Sequence, residues 1–205
     1  MDKLDLKKQL KHLYLPTHKE FTVVDAPPMQ FLMVDGAGNP NTSQAFREAV
    51  QALYGMSYTL KFASKKELGI DYTVMALEGL WWADNMEAFS LEDKDAWHWT
   101  AMMLQPDHIT PEFVEAARAE LARKKDVPAL PRLRFETFHE GLAVQIMYLG
   151  AYADEGPTIA RMHAFIQDNG YTFNGKHHEI YIGDPRTAAP EKLKTVIRQP
   201  IRRVQ

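Results

Sequence analysis

The chain has 205 residues, 45% of them hydrophobic, and a formal net charge of −3 at pH 7. This length and composition suit one domain with a real core and argue against a disordered chain. The balance is acidic and the basic residues are scattered, so we expect no nucleic-acid partner. The absence of cysteine excludes disulfides, thiolate metal sites and a cysteine nucleophile, and it suits a cytoplasmic protein, which we expect.

Residues 1–20 predict a short amphipathic helix that packs on the body of the protein. Leu6, Leu10 and Leu13 recur at helical spacing before Pro16. The segment lacks the long apolar run of a secretory signal. No other segment is long and apolar enough to span a bilayer, so we expect no contact with a membrane.

The remainder of the chain predicts an alternation of strands and helices, bounded by Gly- and Pro-rich turns. In chain order these are strands over 21–24 and 29–34, a turn over 35–40, a helix from residue 43, strands over 72–82 and 97–104, a helix over 110–125, strands over 133–138 and 142–149, a helix over 157–169, and strands over 177–182 and 193–199.

The two halves of the chain carry similar motifs in the same order. Each half has a strand that ends in Gly-Ala, then a turn and a helix, then a strand with an embedded glutamate, and finally a strand that ends in Gln-Pro. The paired motifs are QFLMVDGA (30–37) with VQIMYLGA (144–151), LEGLWWAD (77–84) with HEIYIGD (178–184), and TAMMLQP (100–106) with TVIRQP (195–200). Matches in a shared order are much rarer by chance than single matches, so we infer an internal repeat.

This repeat predicts an α+β domain over 21–205 that is built from two βαββ-like halves. The halves cover 21–106 and 133–205, and the helix over 110–125 joins them. The groove between two such halves is the natural place for a ligand.

Glu179 is the first candidate for a catalytic residue. Strand alternation places it on the same face as Tyr181 and opposite to His178 and Ile180. If the isoleucine faces the core, Glu179 points into the groove or into solvent. A solvated carboxylate is the usual state of a single glutamate. Its repeat match to Glu78 and the aromatic residues beside it favour a ligand role.

The tryptophans are dense enough to suggest an aromatic cage. All four lie in two predicted neighbouring strands, where Trp82 shares a face with Glu78 and Trp99 shares one with Met103. Core packing is the commoner fate of such residues. A cage would suit flat aromatic or cationic ligands. The candidate ligand-binding residues are Trp81, Trp82, Trp99, Met103, Tyr152, His178 and Glu78.

We expect no metal and no cofactor. His177 and His178 are adjacent and diverge on a strand, and no HExxH motif occurs. Gly36-Ala-Gly38 lacks the third glycine of a dinucleotide fingerprint, and neither a P-loop nor a G-x-S-x-G motif is present.

Together these motifs resemble the GyrI-like small-molecule-binding domain. The resemblance covers about residues 20–200 and rests on the Gly-Ala turns, LEGLWW, TAMMLQP and HHEIYIGDPR. It implies two SH2-like βαββ motifs related by a pseudo-two-fold axis, with a ligand cleft between them in which Glu179 is the acidic group. Members of the family include effector domains of multidrug-responsive regulators and gyrase-inhibitory proteins. Residues 1–20 are too short to hold the helix-turn-helix of a regulator.

A stand-alone subset of that family is also similar in its LEGLW and LQP/RQP strands. The resemblance implies cyclopropanoid cyclopropyl hydrolases, which open the strained ring of DNA-alkylating natural products within an aromatic cage. In such a hydrolase Glu179, with a pKa raised by apolar surroundings, would deprotonate water. Tyr148 or Tyr181 would donate to the developing oxyanion.

The sequence leaves three functions open. The chain is a protein that binds bulky aromatic xenobiotics, a hydrolase of the kind just described, or a module that binds a protein such as gyrase. The third has no dedicated feature in the sequence, and the protein partner is unknown.

Overall fold

The computed structural model describes residues 3–84, 94–183 and 188–204. It confirms the predicted α+β class, with one large antiparallel sheet and helices packed against it. The strands are β1 (Thr22–Ala26), β2 (Met29–Ala37), β3 (Glu78–Trp82), β4 (His98–Gln105), β5 (Arg134–Phe138), β6 (Gly141–Leu149), β7 (Tyr171–Phe173), β8 (His177–Tyr181) and β9 (Lys194–Arg203). The helices are α1 (Leu6–Gln9), α2 (Lys11–Tyr14), α3 (Gln44–Ala63), α4 (Pro111–Lys124) and α5 (Gly156–Asp168).

Local capping fixes where the two long helices begin. The Ser43 hydroxyl accepts from the backbone N–H of Phe46 at the start of α3. The Thr110 hydroxyl accepts from the N–H of Phe113 at the start of α4, where proline occupies the first helical position. These caps satisfy backbone donors that a helix leaves unpaired, and they confirm the predicted helix starts.

Two predicted elements differ from the structure. The predicted strand over 72–82 pairs in the sheet only along β3, and Tyr72 makes an isolated bridge to Leu4. The turn that was predicted over 35–40 begins three residues later, at Gly38, because β2 continues to pair with β4 as far as Ala37 and His98. The short strand β7 was not predicted, and residues 184–186 of HHEIYIGDPR lie outside the described residues.

The order of strands is symmetric about its centre. It runs β1-β6-β9-β8-β3-β4-β2-β5, and β7 pairs with β9. The central pair is β8 with β3, so each half of the chain contributes three successive strands on its own side. The outer strands are exchanged between the halves: β1 pairs with β6, and β5 pairs with β2. This order agrees with two pseudo-symmetric halves, while the exact domain bounds stay a prediction.

The sheet must curl strongly, because β1 and β2 lie near opposite edges and are joined by Pro27 and Pro28 alone. The three Cα steps from Ala26 to Met29 span at most about 11 Å. The curl gives the sheet an inner face, to which almost every strand contributes apolar side chains and into which α2 inserts Leu13 and Tyr14. The outer face is covered by α3 and α4 on one half and by α5 on the other.

A buried polar network holds the N-terminal segment on the inner face. The Tyr14 hydroxyl donates to Glu78 Oε1 at 2.8 Å, and His178 Nε2 lies 3.0 Å from Glu78 Oε2. His178 Nδ1 lies 2.8 Å from Glu140 Oε1, and Arg198 Nη1 donates to Glu140 Oε2 at 2.8 Å. Two carboxylates therefore face two basic side chains, and all four carboxylate oxygens are hydrogen-bonded, as buried charges require.

The same contacts set the charges of the network. Burial alone would lower the pKa of His178, but the charge of Glu140 and the hydrogen bonds to Glu140 and Glu78 raise it to about 9. Burial would raise the pKa of Glu140, but the charges of His178 and Arg198 lower it to about 2. Both groups are therefore ionised at neutral pH.

Candidate functional site

A cleft of about 1270 Å³ opens on the outer face of the sheet. One wall is α3, and the floor is formed where β3 and β8 pair at the centre of the sheet. Six aromatic side chains line its inner part: Phe46, Tyr54, Trp81, Trp97, Tyr152 and Tyr181. The cleft therefore lies across the junction of the two halves, where the internal repeat predicts a ligand.

Glycine at position 79 shapes the floor. The register of β3 and β8 places Gly79 opposite Glu179, so both lie on the outer face. A Cβ atom added at Gly79 would lie 2.8 Å from ring atoms of Trp81. The missing side chain lets the indole lie across its own strand beside the carboxylate.

Glu179 is a buried carboxylate with two hydrogen-bonding neighbours. The Tyr181 hydroxyl donates to Oε2 at 2.6 Å, and His177 Nε2 lies 3.3 Å from Oε1. Burial alone would raise the pKa of Glu179, but the hydrogen bond and charge of His177 and the hydrogen bond from Tyr181 lower it. The expectation of a raised pKa at Glu179 is therefore wrong, because β8 itself supplies donors on both sides of the carboxylate.

The raised pKa belongs instead to Glu155, which precedes α5. Its side chain is 3% exposed, and its Oε1 has no hydrogen-bond partner among the described residues. Burial and then the charge of Glu179 raise the pKa of Glu155 to about 9. Two adjacent buried carboxyl groups cannot both be ionised cheaply. At neutral pH Glu179 is therefore the carboxylate of the pair, and Glu155 is the neutral acid.

The aromatic residues above this pair contact one another. The Trp81 ring centroid lies 5.7 Å from that of Phe46 and 5.5 Å from that of Trp97. The rings of Tyr152 and Tyr181 meet edge to face at 5.4 Å. These separations are typical of attractive ring pairs, so the walls are held in place by their own packing.

Lys94 brings a positive charge into the same cleft. It lines the cleft, and its ammonium lies 5.2 Å from the ring centroid of Trp97. The pKa values of Glu155 and Glu179 are set mainly by burial and by the neighbours described above. The charge of Lys94 is a further cause, and it lowers both pKa values.

Four of the predicted site residues come together in the cleft: Glu179, Tyr181, Trp81 and Tyr152. Tyr148 is not among the residues that line the cleft, and its hydroxyl donates to the carbonyl oxygen of Ala151 at 3.2 Å. Trp99 and Met103 are fully buried in the core of the outer face. The ring of Trp99 occupies the space beside Gly36, where an added Cβ would lie 2.2 Å from it.

The other three predicted ligand-binding residues, Glu78, Trp82 and His178, lie on the inner face. The pairing register explains why Glu78 does not match Glu179 as the repeat suggests. Glu78 pairs with Ile180, whereas Glu179 pairs with Gly79. A slip of one residue along a strand moves a side chain to the opposite face of the sheet.

Sequence reasoning did not single out four residues that line the cleft: Phe46, Tyr54, Lys94 and Glu155. It counted Trp97 among the tryptophans of the suggested cage but not among the candidate ligand-binding residues. The sequence marks Glu155 only as part of a Gly-Pro turn, and Phe46 and Tyr54 only as the apolar face of α3. Among the described residues, no three metal-ligating side chains cluster, and none of the helices is long and apolar enough to cross a bilayer.

Solved structures similar to the chain include two from Listeria innocua. One, described as an uncharacterized conserved protein, is 40% identical, with a TM-score of 0.91 over 98% of this chain and 100% of its own. The other, described as a hydrolase, is 41% identical, with a TM-score of 0.87 over the same shares. The C-terminal domain of EcmrR is 10% identical, with a TM-score of 0.57 over 90% of this chain and 98% of its own, and it shares the fold alone.

No curated protein matches the chain significantly. The family model for the GyrI-like small-molecule-binding domain matches residues 19–202, which is nearly the whole chain. The structure agrees with this match: its antiparallel sheet is built from two halves that exchange their outer strands, and a cleft lies where the halves meet. The chain belongs to the GyrI-like small-molecule-binding domain family.

Proposed function

We propose that the protein is a hydrolase that binds a bulky, flat, electrophilic aromatic molecule in the cleft and adds water to it. One observation carries this proposal: a buried carboxylate and a buried neutral carboxyl group, Glu179 and Glu155, lie side by side on the floor of an aromatic cleft. Titratable groups whose environments push their pKa values apart are typical of acid–base sites. The similar Listeria innocua protein described as a hydrolase supports the same class.

The aromatic walls account for binding. A flat ligand that buries about 200 Å² of apolar surface against them would gain roughly 5 kcal/mol, at about 25 cal/mol per Å². This energy requires no specific polar group on the ligand, so it suits a broad set of aromatic compounds.

Glu179 is the general base in this proposal. His177 and Tyr181 hold both of its oxygens, and such support orients a carboxylate toward a bound water molecule. Because Glu155 is neutral, it places no second negative charge beside the reacting centre. A low pKa costs some basicity but keeps Glu179 ionised at neutral pH.

The substrate class that we favour is a cyclopropane ring conjugated to a carbonyl group. The water oxygen forms a bond to a ring carbon, and its proton passes to Glu179. The ring carbon–carbon bond breaks, and its electron pair moves through the conjugated system to the carbonyl oxygen. That oxygen then takes a proton from solvent, and Glu179 returns its own to solvent, so that one water has been added overall. The hydroxyls of Tyr148 and Tyr181 already donate to Ala151 and Glu179, which leaves neither poised for the oxyanion.

The test is turnover measured by mass spectrometry with a cyclopropanoid alkylating compound. Wild type should produce the water adduct above the rate without protein, and Glu179→Gln should lower the rate about 100-fold or more, as expected for loss of a general base. Glu136→Gln is the matched control, because Glu136 is an exposed glutamate of β5. Equal rates in wild type and Glu179→Gln would exclude Glu179 as the base.

Sequestration without turnover is the second candidate. A ladder of aromatic rings continues along α3 from the cleft, with ring separations of 6.5 Å between Tyr54 and Tyr58 and 6.3 Å between Tyr58 and Phe62. This surface is larger than a single reacting group needs. If the compound stays bound to the protein but unchanged in mass, sequestration replaces hydrolysis for that compound class.

A further inference from the structure

The net charge of the cleft depends on Lys94 as well as on the carboxyl pair, Glu155 and Glu179. Among the side chains that line the inner part of the cleft, Glu179 contributes one negative charge at neutral pH, Glu155 contributes none, and Lys94 contributes one positive charge. The inner part of the cleft is therefore close to neutral, although its floor is acidic.

Lys94 also occupies the place that a cationic ligand would use. Its ammonium lies 5.2 Å from the ring centroid of Trp97, within the range of a cation–π contact. An aromatic cation entering the cleft would meet this ammonium beside the same ring. Both effects oppose a cation: one is like-charge repulsion, and the other is competition for an aromatic face.

We propose that Lys94 is a specificity residue that makes the cleft favour neutral or anionic aromatic molecules over organic cations. The proposal rests on the cleft being the ligand site of the proposed function, and it narrows the substrate class to polarised, uncharged electrophiles. A carbonyl oxygen that gains negative charge during ring opening is one group that this ammonium would favour.

Other basic residues along the cleft offer a matched comparison. Lys124 lines its outer part, between α3 and α4, and forms an ion pair with Glu120 on the same helix. Lys124→Met therefore removes the same charge from the same cleft, away from the carboxyl pair. If only the total charge of the cleft mattered, Lys94→Met and Lys124→Met would change the affinity for charged ligands equally. Our proposal predicts that only Lys94→Met changes it strongly.

The probes are tetraphenylphosphonium and tetraphenylborate, which have the same shape and opposite charge. Dissociation constants would be measured by titration calorimetry at low and high salt for wild type, Lys94→Met, Lys94→Arg and Lys124→Met. Circular dichroism would confirm that each variant is folded. Lys94→Met should bind the phosphonium roughly tenfold or more tightly than wild type does and the borate roughly tenfold or more weakly. Lys94→Arg should match wild type, and Lys124→Met should stay within about twofold.

An unchanged preference between the two probes in Lys94→Met would overturn the proposal. An equal change in Lys124→Met would also overturn it, because the effect would then belong to the surface charge as a whole. Failure of every variant to bind the phosphonium would overturn it as well, since Lys94→Met is expected to gain that binding. These outcomes are independent of turnover: a protein that lacks hydrolase activity can still show the charge preference, and a hydrolase can lack it.

Discussion

Raising the pH should destabilise the fold, because His178 is held on the inner face as an imidazolium. The ring lies between two carboxylates, at 3.0 Å from Glu78 and 2.8 Å from Glu140. When the ring loses its proton, its attraction to both carboxylates weakens. The two buried carboxylates then share a site that holds one positive charge fewer, which destabilises the folded protein.

The size of the effect follows from the shift in pKa. The pKa of His178 is about 9 in the folded protein, whereas an unperturbed histidine has a pKa of 6.5. Since the folded pKa is the higher one, this stabilisation is fully present below pH 6.5 and is lost as the pH rises through about 9. A difference of one in pKa is worth about 1.4 kcal/mol, so the loss of the His178 contribution should lower the free energy of unfolding by about 3 kcal/mol across this window.

Urea unfolding between pH 6 and pH 9.5 measures this loss. Glu140→Gln removes the charge that raises the pKa of His178, so this variant should be less stable at pH 6 and lose much less on going to pH 9.5. Glu136→Gln, at an exposed glutamate, should keep the slope of wild type. Glu155 also titrates near pH 9, but it does so in all three proteins and cancels in the comparison. Equal slopes in wild type and Glu140→Gln would refute the reasoning.

Three further predictions concern the fold and the cleft. Tyr14→Phe should lower the free energy of unfolding by about 1–3 kcal/mol because it removes a buried donor to Glu78, and a loss below about 0.5 kcal/mol in urea would contradict this. Gly36→Ala should cost about 1–3 kcal/mol because the new Cβ would lie 2.2 Å from the Trp99 ring, and an unchanged melting temperature would show that the ring moves freely. Turnover should fall as the pH rises above about 9, where Glu155 ionises beside the base; Glu155→Gln should lack this alkaline limb, and its persistence would assign the limb to another group.

The sequence predicted the class of fold and most elements, because caps and strand alternation are local signals. Ser43 and Thr110 mark their helix starts without help from the tertiary structure. The repeat predicted where a cleft would form, since its motifs bring the two central strands together. It did not predict that β1 and β5 would be exchanged, because strand pairing over such distances leaves no local pattern.

The candidate site was only partly predictable, because it too depends on contacts between residues that are distant in the sequence. Alternation correctly separated Glu179 from His178, but it could not tell which carboxyl group would lack hydrogen-bond donors. Glu155 reaches the floor of the cleft from a turn that precedes α5, far from Glu179 in sequence. Its raised pKa arises from burial and from that neighbour, and both are tertiary effects.

The exchange of outer strands has a consequence for synthesis of the chain. β1 has no partner until β6 exists, and Arg198 of β9 donates at 2.6 Å to the carbonyl oxygen of Leu13 in α2. This segment is therefore translated before the strands that hold it, and it is among the last parts of the domain to be fixed. At about 5–20 residues per second it waits roughly ten seconds or longer. Its apolar side chains are exposed for that time, and pulsed hydrogen exchange during refolding should find the amides of β1 protected later than those of the β2–β4 pair.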